Sequence, residues 1–132
     1  MRRTPAALFA ASLSLTALAG CATNHNPEAI VGSWKVDLRP TPDSPPYFQQ
    51  FIVDQVVTDP ADGATEIVGT FYGSPIEEGR INTDWDALHF AFVTHDNSGA
   101  YNHSGVLRAG RLHGLSHSLA RDSLWVWTAT PK

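Results

Sequence analysis

One cysteine, Cys21, stands in the whole chain of 132 residues, so no intramolecular disulfide can form. Long apolar runs are scarce as well. The segment Ala6 to Leu18 is almost uncharged, yet it falls short of the about 20 residues that a membrane-spanning helix needs. Lys and Arg form no cluster, which argues against nucleic acid or anionic lipid headgroups as partners. Beyond residue 21 no stretch keeps a 3.6-residue apolar period for three turns, so the pattern points away from amphipathic helices. No Gly-x-Ser-x-Gly elbow accompanies any serine, and nucleophilic hydrolysis lacks its usual turn.

What is present begins at the N-terminus. Arg2 and Arg3 form a short basic region ahead of the apolar run, the order of a secretory signal peptide. The run ends in Leu18-Ala19-Gly20-Cys21, which resembles the lipobox of bacterial lipoproteins: an aliphatic residue, two small residues, then cysteine. Small residues let an extended backbone enter a signal peptidase. The resemblance implies cleavage after Gly20 and lipidation at Cys21, by a diacylglycerol thioether with further acyl (palmitate-type) chains. Two or three acyl chains hold a protein to a membrane durably, whereas one does so marginally. Ala22, in place of Asp, implies the outer membrane by the sorting rule of such lipoproteins.

The expected organisation is therefore a signal peptide over 1–20, a lipidated tether over 21–29 and one domain over 30–132. Removing the signal peptide takes Arg2 and Arg3 away and leaves 7 basic against 13 acidic residues, a formal charge of −6. The acids are scattered, as ordinary solubility requires. Pro40, Pro42, Pro45 and Pro46 mark an extended connection.

Short segments rich in Val, Ile, Thr and aromatics recur every 10 to 15 residues, each followed by a turn signal. Eight strands are predicted, over 30–38, 47–57, 65–72, 75–82, 87–95, 100–108, 111–120 and 123–130. The turn signals between them lie at Asp59-Pro60 to Asp62-Gly63, Gly73-Ser74-Pro75, Thr83 to Asp86, Asp96 to Gly99, Ala109-Gly110 and Arg121-Asp122. Tight turns between consecutive strands mean antiparallel neighbours. Eight such strands close most economically as an all-β, up-and-down meander barrel, which leaves no edge exposed.

Placing turns at 96–99, 109–110 and 121–122 sets Phe90 opposite Gly105, Gly105 opposite Gly114 and Ser116 opposite Trp127. Alternation then gives one face Leu88, Phe90, Phe92 and Thr94, with Tyr101, His103, Gly105 and Leu107. The same face continues with Leu112, Gly114, Ser116 and Ser118, then Trp125, Trp127 and Ala129. Large rings beside glycines and serines suit a tapering interior. The other face, with His89, His95, Asn102, Ser104, His113 and His117, is the more polar and belongs outside.

Gly32-Ser33-Trp34 on the first strand resembles the G-x-W motif of lipocalin-like and avidin-like barrels. Gly69-Thr70-Phe71-Tyr72-Gly73-Ser74 and the late pair Trp125 and Trp127 extend the likeness to the small avidin-like shape. The resemblance implies the barrel architecture, with Trp34 plugging one end. The spacing of Tyr72 and Ser74 differs from that of the biotin-contacting residues of avidins, so only the architecture is carried over. In lipocalin-like barrels a late arginine packs across the first-strand tryptophan, a part open to Arg121.

The inward face is the candidate site. Small barrels hold single small ligands, in pockets that are mostly apolar with a few placed polar groups. Trp34, Phe90, Phe92, Trp125 and Trp127 are candidate walls, with Tyr72 nearby. Thr94, Tyr101, His103, Ser116 and Ser118 are candidate donors and acceptors. The same side chains could simply fill the interior. A metal is not expected: His113 and His117 are four residues apart on one strand, ~13 Å, too far for one zinc. His95-Asp96 with Ser104 or Ser116 makes a triad only on paper, since a triad is recognised by geometry. Glu77 and Glu78, adjacent in a strand, point to opposite faces; an inward Glu77 beside Tyr72 would gain pKa by desolvation. The expectation is an envelope lipoprotein that binds a small, partly apolar ligand, with no cofactor and no catalysis. A solid barrel acting through its outer face is the alternative.

Overall fold

The computed structural model describes residues 25–132. The predicted signal peptide and lipobox, with the predicted lipidation site Cys21, lie outside the described residues. A 3-10 turn, Pro27–Ile30, precedes nine strands: β1 Gly32–Asp37, β2 Phe48–Thr58, β3 Thr65–Phe71, β4 Ser74–Pro75, β5 Glu77–Asn82, β6 Leu88–Asp96, β7 Gly99–Arg108, β8 Arg111–Ser118 and β9 Ser123–Pro131. The pairing order is β2-β1-β9-β8-β7-β6-β5-β3, and an additional β2–β3 ladder closes the ring. All pairings are antiparallel. β4 is a two-residue continuation against the end of β3. The predicted closed, eight-stranded, up-and-down barrel is thus the observed one.

The fourth predicted strand, 75–82, is not continuous. Glu78 sits at φ 51°, and the β5–β6 register shifts between Glu77 and Arg80. A bulge of this kind bends the strand and increases its twist, as barrel closure demands. Gly79 follows at a place where a Cβ would lie 2.5 Å from Ile67 Cγ1, so only glycine lets β5 approach β3 this closely. The β3–β4 connection also differs from expectation. It turns at Tyr72-Gly73, with φ 52° and 79°, the left-handed pair of a two-residue hairpin.

The register of β6, β7 and β8 is the one read from the sequence: Phe90 faces Gly105, and Gly105 faces Gly114. The β8–β9 register is corrected by two residues. Gly114 faces Trp127, and Ser116 faces Trp125, because Ser118 pairs with Ser123 and four residues form the turn. A two-residue shift conserves parity, so the faces stand as predicted.

Inside, Phe51 is the hub. Its ring centroid lies 5.2–6.4 Å from those of Phe92, Phe71, Phe90 and Trp127. At one end, hereafter the base, the 3-10 turn folds Ile30 inward, and Trp34 Nε1 donates to the Ile30 carbonyl at 2.8 Å. Asn26 caps the turn through its side chain, with Pro27 at the first helical position. The base also holds the β2–β3, β5–β6 and β7–β8 connections. The opposite end, the mouth, holds the proline-containing loop 38–47 and the turns at 72–73, 97–98 and 119–122.

Candidate functional site at the barrel mouth

The sequence-predicted residues separate into three levels. Trp34, Phe90, Phe92 and Trp127 are buried in the hydrophobic core. Phe90 lies over Gly105, its predicted partner, whereas Trp127 lies over Gly114 and not over the predicted Ser116. A Cβ on Gly105 would meet Phe90 Cζ at 2.5 Å, and one on Gly114 would meet Trp127 Cζ2 at 2.2 Å.

Above the rings is a buried polar layer of Thr94, His103, Ser116 and Ser118. His103, only 4% exposed, bridges two hydroxyls: Nδ1 to Ser116 Oγ at 2.7 Å and Nε2 to Thr94 Oγ1 at 2.8 Å. Trp127 Nε1 donates to the same Ser116 Oγ at 2.9 Å. The His103 imidazole stacks against Phe92, with centroids 4.7 Å apart, and lies 4.5 Å from Phe71. Burial among rings and neutral hydroxyls, with no carboxylate partner, pushes its pKa down to about 4. His103 is therefore a neutral donor-acceptor at neutral pH, and a carboxylate that would orient it as a catalytic base is missing from its contacts. Ser118 Oγ accepts from the Arg121 backbone N–H at 3.2 Å and so ties this layer to the turn above it.

The third level is the rim. Tyr101 and Trp125 are half-buried, with ring centroids 6.1 Å apart. The Arg121 guanidinium lies over Trp125, 5.5 Å from its ring centroid. It therefore packs on Trp125 at the mouth as an exposed turn arginine, and the contact with Trp34 that the lipocalin-like resemblance left open to it is not made: the four-residue turn carries Arg121 to the top of the ring. Arg121 Nη1 also donates to Tyr101 OH at 3.4 Å, and Tyr101 donates to Asp96 Oδ2 at 2.8 Å. Tyr101 and the Ser98 backbone N–H hold the Asp96 carboxyl below its ordinary range. Tyr72, exposed on its turn, hydrogen-bonds the hydroxyl of Tyr47. That contact raises the Tyr72 pKa, which nearby Arg121 counteracts.

Tyr47, Asp96 and Arg121 are the members of this rim absent from the predicted set. Tyr47 opens the predicted strand 47–57 with the parity of the inward Phe51 and Val53, but its contact with Tyr72 depends on the β2–β3 register. Arg121 was visible as a turn arginine, but its partner depended on the length of the turn.

Other sequence candidates do not assemble. Glu77 is exposed, and its Oε2 lies 2.8 Å from His95 Nδ1 on the outside, away from Tyr72. Ser116 bonds His103 and not His95, and Ser104 is exposed on the opposite face, so the paper triad is not formed. Among the described residues no group of three His, Cys, Asp or Glu side chains is placed to hold a metal.

Two clefts open near the base, away from the mouth. One of about 400 Å³ is bordered by His25, Asn26, Asp86, Leu88 and Arg108 among others. The other, of about 460 Å³, lies between Asn82, Trp85, Asp86 and His89. Asp86 links them: it accepts from Arg108 Nη2 at 3.0 Å and lies 3.5 Å from His89 Nε2.

The fold and the site define a closed eight-stranded β-barrel with a packed aromatic interior, a polar layer and an aromatic rim. Compared with known proteins, the chain gives no match to a family model, to a curated protein or to a solved structure.

Proposed function

We propose that this chain is a lipoprotein of the bacterial envelope, anchored at Cys21 in the outer membrane, that binds one small, partly apolar molecule at the barrel mouth. The observation that carries the binding site is the convergence of Tyr101, Trp125 and Arg121 above a buried layer of hydroxyls and a neutral imidazole. Flat aromatic walls supply contact area at small entropic cost, and a few fixed polar groups supply orientation. The rings beneath occupy the lumen and the polar layer is itself buried, so the ligand meets the accessible faces of Tyr101, Trp125 and Arg121 and does not thread the barrel. The anchor is supported by the order Leu18-Ala19-Gly20-Cys21 after a short apolar run.

Titrating small amphiphilic metabolites against tryptophan emission tests the binding site. A saturable change that disappears in Trp125→Phe is the expected result; no response across the screen would overturn it. Cys21→Ser tests the anchor separately, since a variant that still partitions into membranes contradicts lipidation.

A second reading has its own observation. Leu115 and Val126 pair across β8 and β9 on the outer face, and with Leu124 they are exposed. A barrel acting through that face would bind a protein partner and leave Trp125 emission unchanged.

A further inference from the structure

Trp85 is 73% exposed, the most exposed of the four tryptophans, and it sits at the base in the loop between β5 and β6. Its neighbours hold the loop in place. Asp84 N–H donates to Asn82 Oδ1 at 2.9 Å, and the Asp86 carboxylate is gripped by Arg108. The indole is therefore displayed outward from a fixed loop without a packing partner that would justify its size.

The chain enters the barrel at this same corner. His25 and Asn26 border the cleft that Asp86, Leu88 and Arg108 line, and Asp86 also borders the cleft beside Trp85. Cys21 precedes His25 by four residues, which span at most ~14 Å. The ten residues of β7 extend roughly 30 Å from mouth to base. An acyl anchor at Cys21 thus keeps the base beside the bilayer surface and leaves the mouth out of the tether's reach.

We infer that Trp85 inserts into the interfacial region of the bilayer as a second membrane contact, fixing the barrel base-down with its mouth turned away from the membrane. This inference rests on the Cys21 anchor proposed above. Tryptophan suits that depth, because its ring is apolar while its N–H finds partners among headgroups. The occupant is the lipid interface itself and not an anionic headgroup: at the same end the exposed Asp59, Asp62, Asp84 and Asp86 offset Arg108, Arg111 and Lys132, leaving no basic excess to attract one.

The test uses the lipidated full chain in phosphatidylcholine vesicles whose acyl chains carry bromine, a contact quencher of indole emission. Trp85→Phe is the comparison, and as an exposed position it leaves the fold intact. Mass analysis of Cys21 and flotation with the vesicles report the anchor in the same sample. The expected result is quenching in the natural chain that falls at least twofold in Trp85→Phe, with flotation unchanged. Flotation without quenching overturns the docking and leaves the anchor standing. Quenching that persists undiminished in Trp85→Phe places another tryptophan in the bilayer and overturns the orientation. Loss of both acylation and flotation defeats the anchor, and the docking with it.

Discussion

The indole of Trp127 donates to Ser116 Oγ at 2.9 Å, although the residue directly across the ladder from Trp127 is Gly114. The ring reaches past its own partner by lying flat over a position with no side chain. Gly114→Ala would set a Cβ 2.2 Å from Trp127 Cζ2, against a ring fixed by Phe51, Phe71 and Phe90. Overpacking of a rigid core costs about 1–3 kcal/mol or more. Urea unfolding should show a loss in that range; an unchanged midpoint would mean that the ring is free to move.

Ser116 satisfies two buried groups at once, the Trp127 N–H and His103 Nδ1. Ser116→Ala leaves both without their partner, and each unsatisfied buried group costs about 1–3 kcal/mol. A double-mutant cycle with Trp127→Phe separates the two. Trp127→Phe should cost less in the Ser116→Ala background than alone, because the indole N–H has already lost its acceptor. Strict additivity would contradict the shared bond.

His103 makes stability depend on pH. Its pKa is about 4 in the folded chain, against an ordinary 6.5. As pH falls below 6.5 the unfolded chain takes up a proton that the folded chain refuses until about 4. Its contribution is therefore complete above pH 6.5 and declines as pH drops, by on the order of 3 kcal/mol at pH 4. Urea unfolding at pH 7, 5.5 and 4.5 should show the decline, and His103→Gln should flatten it. Equal slopes in the two proteins would place the titration elsewhere.

Arg121 separates stability from binding. Its guanidinium is exposed over Trp125 and reaches Tyr101 only at 3.4 Å, so it adds little to the fold. Arg121→Ala should leave the urea midpoint in place while weakening a mouth ligand about tenfold, the scale of one lost polar contact. Equal affinity for the ligand in both proteins would remove Arg121 from the site.

Strands and faces were legible because alternation and turn chemistry are local. Every strand lies close to its predicted span, and Phe90 above Gly105 follows from counting outward from a turn. The β8–β9 register was not legible to the residue: Arg121-Asp122 has the look of a two-residue turn, while Leu119 and Ala120 also belong to it. Parity rescued the faces, since a shift of two keeps each side chain on its side. The partner of Arg121 had no such protection. Its place depended on the turn itself, which carried it to Trp125 and away from Trp34. The Glu78 bulge has no glycine or proline at that residue to announce it, and the approach of Tyr47 to Tyr72 follows from a β2–β3 register that shifts between Val53 and Gln55, which alternation alone does not give.

The most direct test of a ligand site at the mouth is to follow the indole N–H resonances of the four tryptophans while candidate metabolites are added. A bound molecule should shift the Trp125 signal most, move Trp127 slightly through Ser116, and leave Trp34 and Trp85 at the base in place. Shifts confined to Trp34 or Trp85, or none with any compound, would contradict a ligand site at the mouth.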